Sequence, residues 1–265
     1  MIESRDEFQR MFEVEQKLWW YDSLHRKVLR HIRRYFGKDL SKLTLLDAAC
    51  GTGGLLCRIK KDGLHQATGF DLSDYAVAFS KSRGLDVESG NLKTVDQFRP
   101  GTTYDVICCN DALYFLSDDE IVTTLEAFKQ RLAPGGLLLV NIHAFDAFRG
   151  THDLAVGSTK RFTLHDFRDY ASRAGLVINQ HTYWPFFAAL PIYLVRSWQR
   201  FQIRRGKYQN MRPNSDVSYP GNFVNATLKL AMRVEENLFS NPPFGSSLLM
   251  TLQASEGDSS LAASS

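Results

Sequence analysis

Residues 47 to 53, Asp-Ala-Ala-Cys-Gly-Thr-Gly, put a carboxylate four positions before a glycine pair. Gly51 and Gly53 carry no Cβ, tolerate positive φ and let a ligand lie against bare backbone. An acid ahead of such a turn suits a ligand bearing a cationic amino group, not a pyrophosphate. The dinucleotide fingerprint would need a third glycine, where this chain has Leu56, and no Gly-Lys-Ser/Thr follows to cradle a phosphate. Asp71 lies 20 residues after Gly51, closing Ala67-Thr68-Gly69-Phe70-Asp71, where an acid can accept both hydroxyls of a ribose. Asn91 can both donate and accept. Two histidines, His143 in Val140-Asn141-Ile142-His143 and His152 before Asp153, are candidates for moving a proton near pH 7. His152 is the leading base and His143 the second. His165 falls inside an expected helix and reads as surface.

Elements that could position these groups are legible in the pattern. Leu43 to Leu46 read as a buried strand, and Leu55, Leu56 and Ile59 as the start of a helix. Strand-like and helix-like segments then alternate from 43 to 145, the βαβ pattern of an open, mostly parallel sheet. Ser73 and Gly84 bracket one amphipathic helix. Ser117 with Glu120 forms a capping box for another reaching Leu132, and Thr163 caps a third running to Gly175. Residues 6–35 read as helical, with Gly37 as the stop. The adjacent Trp19, Trp20 and Tyr21 cannot all face one core.

In order and spacing these segments resemble the class I S-adenosylmethionine (SAM)-dependent methyltransferases. The motifs are Asp47 to Gly53, Asp71, Glu88 to Leu92, Tyr104 to Leu113 and Leu132 to Val140. The resemblance implies a Rossmann-like, mostly parallel seven-stranded α/β sheet with helices on both faces. It implies a SAM site formed by Asp47, Ala49, Gly51, Gly53, Asp71, Leu72, Asn91, Leu92 and Asn110, with Trp20 or Tyr21 lining it from an N-terminal helical cover. S-adenosyl-L-homocysteine (SAH) is the implied product. Glu15 to Tyr21, Thr151-His152-Asp153 with Arg161-Phe162-Thr163, and Pro243 to Ser246 resemble a bacterial subgroup that tailors glycans, lipids and secondary metabolites. The expected reaction is methyl transfer, at oxygen, to a small or lipid-like acceptor in a biosynthetic pathway. The rival is a protein that binds SAM or SAH without methylating, as a cyclase-type enzyme or binding module. A nicotinamide oxidoreductase is disfavoured by Leu56.

The chain has 265 residues, 44% of them hydrophobic, and a net charge of +3, which gives no global case for nucleic acid. Asn241-Pro242-Pro243-Phe244 matches an amino-methylating DNA enzyme signature but lies far downstream of the fourth strand, so it reads as a proline turn. Four cysteines form no C-x-x-C pair, which reads as reduced thiols in a cytoplasmic protein with no metal site. No signal peptide or membrane-spanning run is expected.

The expected organisation is a cover over 1–40, a SAM-binding core over 41–183, a lid or insertion over 184–240, a final sheet edge over 241–255 and a disordered tail over 256–265. From Tyr170 to Ser215 there is no Asp or Glu but there are seven Arg or Lys. The basic, apolar stretch 184–212 reads first as a lid over the acceptor, second as a peripheral contact with the inner face of a membrane, and last as a dimer contact.

Overall fold

The computed structural model of the chain describes residues 5–207 and 217–255. The expected disordered tail over 256–265, the first four residues of the cover and residues 208–212 of the basic stretch lie outside them.

One seven-stranded sheet organises the fold. In chain order its strands are β1 (Thr44–Ala48), β2 (Gln66–Asp71), β3 (Asp86–Ser89), β4 (Tyr104–Asn110), β5 (Leu132–His143), β6 (Leu176–Trp184) and β7 (Ser247–Ala254). Their spatial order is β3-β2-β1-β4-β5-β7-β6. The first five pair in parallel, and β7 runs antiparallel to both β5 and β6. The order reverses direction between β1 and β4, and ligands of open α/β sheets bind outside the carboxyl ends of the strands at such a point.

The period-2 alternation of the strands divides the core between the two faces. On one face Leu46, Ile107, Leu138 and Val140 pack under α5 (Asp118–Arg131) and α7 (Leu164–Arg173). On the other, Leu45, Val106, Leu137 and Leu139 pack under α2 (Trp19–Phe36) and α3 (Gly54–Lys61). The caps form as their sequences direct. Ser117 and Glu120 close a capping box on α5, and Thr163 with Asp166 closes one on α7. Each supplies partners for otherwise orphaned backbone N–H groups.

The cover, which reads as helical over 6–35, is interrupted. It breaks into α1 (Arg5–Val14) and α2, with Glu15 to Leu18 between them. The break has a long-range cause. Glu15 turns inward to Thr52 and Arg83, and Asn225 caps α2 from the far end of the chain. The Asn225 Oδ1 accepts from the Trp19 N–H at 2.8 Å, and its Nδ2 donates to the Lys17 carbonyl at 2.9 Å.

Helix α4 (Asp74–Ser82) follows β2, and the short α6 (Thr151–Val156) follows β5. The segment expected as a lid holds α8 (Ala189–Arg204) and α9 (Asn222–Leu238). Helix α9 is anchored to α2 through Glu236, which takes Arg26 Nε and Nη2 at 2.9 Å each. Among the described residues no helix is long and apolar enough to cross a membrane.

Candidate active site

A cavity of about 690 Å³ opens at the carboxyl edge of the sheet. It runs from the turn after β1 to the ends of β4 and β5, with α1 and α2 as its roof.

The turn after β1 is held by side chains from its neighbours. Asp71 Oδ2 accepts from the Gly51 N–H at 2.9 Å, and Ser80 Oγ donates to the Gly51 carbonyl at 3.0 Å. Ala49, at φ 59°, and Gly51, at φ 56°, both adopt left-handed backbone. A Cβ on Gly51 would point at Met11 Sδ, 3.3 Å away, so α1 closes over this bare peptide. Asp47, Ala49, Gly51, Asp71, Leu72, Asn91, Leu92, Asn110, Trp20 and Tyr21 all border the cavity.

Gly53, also expected at the cofactor, is not among the residues that border it. At φ 80° it caps α3, and a Cβ there would come 2.3 Å from Leu85 and 3.0 Å from Ser80. Its lack of a side chain serves the packing of the turn on α4. Asn91 has only part of its capacity for a ligand, because its Oδ1 caps the short turn Leu92–Gln97 by accepting from the Lys93 N–H at 3.0 Å.

Three carboxyl groups surround this end: Glu15, Asp47 and Asp71. Glu15 is matched by Arg83, which also donates to the Phe12 carbonyl and lies over the Phe12 ring. No cationic side chain among the described residues pairs with Asp47. Burial, with the Glu15 and Asp71 carboxylates nearby, pushes its pKa well above the usual carboxylate range. The site thus has an unmet preference for positive charge. At the end of β4 the Asn110 Oδ1 is buried without a hydrogen-bond partner. Both features fit a ligand that brings a cation and donor groups.

The other end of the cavity is built from β4, β5 and α6. Asp111 has φ 50°, an uncommon conformation for a residue other than glycine. This conformation is fixed by β5: the Asp111 N–H donates to the Asn141 carbonyl at 2.8 Å, and Asn141 Nδ2 donates to Asp111 Oδ1 at 2.9 Å. Burial raises the Asp111 pKa to about 7, against the lowering effect of that amide. The sequence points to Asn110 rather than to its neighbour Asp111. The run Asn110-Asp111-Ala112 gives no local sign of the turn that aims the second side chain into the cavity.

His143 stacks on Tyr114, with centroids 4.6 Å apart and planes at 17°. Its Nε2 lies 4.0 Å from Asp111 Oδ1 and its Nδ1 4.0 Å from Asp153 Oδ1. Burial, reinforced by Arg161, holds its pKa well below the ordinary histidine value, so the ring is neutral at pH 7. His152 also borders the cavity, its ring centroid 5.5 Å from that of His143.

Asp153 does not orient His152. It takes Arg161 Nε at 2.7 Å and Nη2 at 3.1 Å, and accepts from the Gly150 N–H at 2.8 Å. Arg161 continues to the carbonyls of Ala144 at 3.1 Å and Ser246 at 3.3 Å. The His-Asp…Arg pattern is therefore a buried ion pair joining α6 to the ends of β5 and β7. Gly245 in the late Pro-Phe-Gly-Ser lies on the Trp184 backbone, where a Cβ would come within 2.4 Å. Among the described residues no cluster of His, Cys, Asp or Glu could hold a metal ion.

The fold agrees with comparisons to known proteins. Residues 20–181 match the family model described as "Methyltransferase domain". A Bacillus subtilis (strain 168) protein named as a methyltransferase, YqeM, is 29% identical over 106 residues. That match takes 38% of this chain and 42% of the relative, so the chain spans less than half of that relative's length. An S-adenosylmethionine-dependent methyltransferase structure from Clostridium acetobutylicum superposes with a TM-score of 0.54 at 12% identity, covering 89% of this chain and 92% of that one. The structure of a 4+2 cyclase, SpnF, superposes with a TM-score of 0.53 at 17% identity, covering 86% and 81%. These two show a shared fold. The family model covers the sheet from β1 to most of β6, with the turn, both carboxyl-edge acids and both histidines, and on that ground the chain belongs to the methyltransferase domain family.

Proposed function

We propose that the chain transfers a methyl group from SAM to a hydroxyl of a small or amphiphilic acceptor, leaving SAH. The observation that carries this reading is one continuous cavity with opposite requirements at its ends. An acid without a cation stands beside a bare glycine turn at one end, and a carboxyl group with a pKa near 7 stands at the other.

SAM, when bound, supplies an electrophilic methyl group on a cationic sulfur. Asp47 would meet its positive charge and Asp71 its ribose hydroxyls, with Asn91 and Asn110 as further polar partners. Asp71 already uses one lone pair on each oxygen, for the Gly51 and Ser73 N–H groups at 2.9 Å each, which fixes its direction and leaves acceptor capacity. Trp20 and Tyr21 roof the cavity and exclude water. Asp111 then accepts the hydroxyl proton. A hydroxyl is protonated at pH 7 and needs a base as it reacts, and a base titrating near the working pH serves best. His143, held neutral with a depressed pKa, is the weaker base and acts as a polar wall on Tyr114. His152 remains a second contact for the acceptor.

Phe115, Val156, Ile192 and Leu228 give the cavity apolar walls, which supports a lipid-like acceptor, with residues 184–207 of the basic stretch meeting the inner face of a membrane. Incubating the protein with SAM labelled on the methyl group and a panel of hydroxylated amphiphiles tests the reading. Labelled methyl ether product together with SAH is expected. SAM that binds but stays unconsumed across the panel would instead favour a cyclase-type or purely binding role on the same fold.

A further inference from the structure

Helices α8 and α9 both border the cavity, through Ile192 and Arg196 of α8 and Leu228 of α9. Both also turn apolar side chains outward. On α8, Leu190, Leu194 and Trp198 recur every four residues and are 59–65% exposed. On α9, Phe223 is 84% exposed and Leu230, Val234 and Leu238 continue its stripe. A helix of a soluble fold normally buries such a stripe, and a large exposed apolar patch marks an interaction surface. The two stripes meet at one end, where Phe186 and Phe187, just before α8, pack on Phe239, just after α9, at centroid distances of 5.3 and 5.8 Å.

The charge on these faces has one sign. Across residues 184–207 and 217–241 the only acids are Glu235 and Glu236, and both are buried. Glu235 Oε2 accepts from the Phe186 and Phe187 N–H groups at 2.8 Å each, and Glu236 is held by Arg26 and Arg30 of α2. Each acid is thus committed to internal anchoring. Arg204, Arg205, Lys207 and Arg233 remain on the outside.

We infer that the outward faces of α8 and α9 dock on the surface of an anionic lipid bilayer, setting the cavity mouth against the headgroups so that the acceptor enters from the leaflet. Apolar side chains beside cations with no outward acid complement such a surface: the apolar groups insert at the acyl boundary while the cations meet lipid phosphates. Docking stands on the exposed faces alone. The route of the acceptor rests on the amphiphilic-acceptor reading above.

Sedimentation of the full chain with vesicles tests it, using phosphatidylcholine alone and phosphatidylcholine mixed with phosphatidylglycerol. Binding at least about tenfold tighter to the anionic vesicles is expected, weakening as salt shortens the screening length. Leu194→Glu with Trp198→Glu, and separately Phe223→Glu with Leu230→Glu, should each lower that binding about tenfold or more. Both pairs should leave Tm unchanged, because these side chains pack against little in the fold. Absence of vesicle binding, or equal binding to both vesicle types, overturns the proposal. So does a concentration-dependent dimer that the same substitutions abolish, since the faces would then meet a second copy. Calorimetry with SAM on the same preparations separates the two ideas. Vesicle binding without SAM affinity defeats the methyl-transfer reading alone, and SAM affinity without vesicle binding defeats docking alone.

Discussion

The Trp20 ring lies on the Trp184 ring, with centroids 4.4 Å apart and planes at 28°. Trp184 Nε1 donates to Asn141 Oδ1 at 2.9 Å, and Asn141 in turn donates to Asp111. The helical cover is therefore tied through one stacked pair and two hydrogen bonds to the acid at the far end of the cavity. Asn141 is fully buried and spends its amide on these two partners, so the direction of the Asp111 carboxyl depends on an amide from the next strand.

Replacing that amide should show the dependence. Asn141→Leu leaves Asp111 without the donor that lowers its pKa. The acid limb of the kcat/KM profile should then move to higher pH, with kcat/KM at pH 7 lower by about ten- to a hundredfold. A merely structural role would lower activity without moving the inflection. The measurement is a pH–rate profile of both proteins.

Asp111 itself should be worth about a hundredfold or more in kcat as a base. Asp111→Asn keeps the size and removes the proton acceptor, so kcat falls while the affinity for SAM changes little. The sign for stability follows from the raised pKa. The folded state binds a proton that the unfolded chain has released between about pH 4 and pH 7, so this group costs stability as pH rises through that window. The neutral amide avoids the cost, and Asp111→Asn should have an equal or higher Tm at pH 8. In wild type, activity should fall about tenfold per pH unit below 7.

Glu15 fastens α1 across the glycine turn through Thr52 and Arg83. Removing one member of a buried ion pair leaves the other charge uncompensated, at a cost of roughly 3 kcal/mol. Glu15→Ala should lower stability by about that amount, speed hydrogen exchange over α1 and weaken SAM binding, because Met11 would no longer be held over Gly51. Denaturant unfolding and exchange mass spectrometry check the two parts separately.

Gly53 and Gly51 should respond differently to alanine. Gly53→Ala meets Leu85 at 2.3 Å on a left-handed backbone, so it should cost roughly 1–3 kcal/mol of stability. The residual folded protein should still bind SAM. Gly51→Ala projects into the cavity toward Met11 and should weaken SAM binding more than it lowers Tm. Paired thermal melts and calorimetry distinguish the two.

The parts of this arrangement visible in the sequence are those encoded locally. Ser117 with Glu120 and Thr163 with Asp166 are three-residue spacings that fix helix starts. The Asp47-to-Gly53 turn and Asp71 follow from one strand–turn–helix unit and its successor. Asp111 was hidden because its conformation is imposed by Asn141, 30 residues away on β5. The break between α1 and α2 was hidden because Glu15 answers to Thr52 and Arg83, and because the cap of α2 comes from Asn225, 206 residues beyond Trp19. Adjacent His152 and Asp153 point different ways, and the sequence does not say that the partner of Asp153 is Arg161, eight residues on. In each case the deciding contact joins residues that the sequence separates.

Calorimetric titration of the full chain with SAM and with SAH, on wild type and on Asp71→Ala, tests the central claim most directly. Binding in about the micromolar range, weakened about tenfold or more by the substitution, is the predicted result. A well-folded wild type that gives no binding heat with either ligand, or binding that Asp71→Ala leaves unchanged, would contradict a SAM site at the glycine turn.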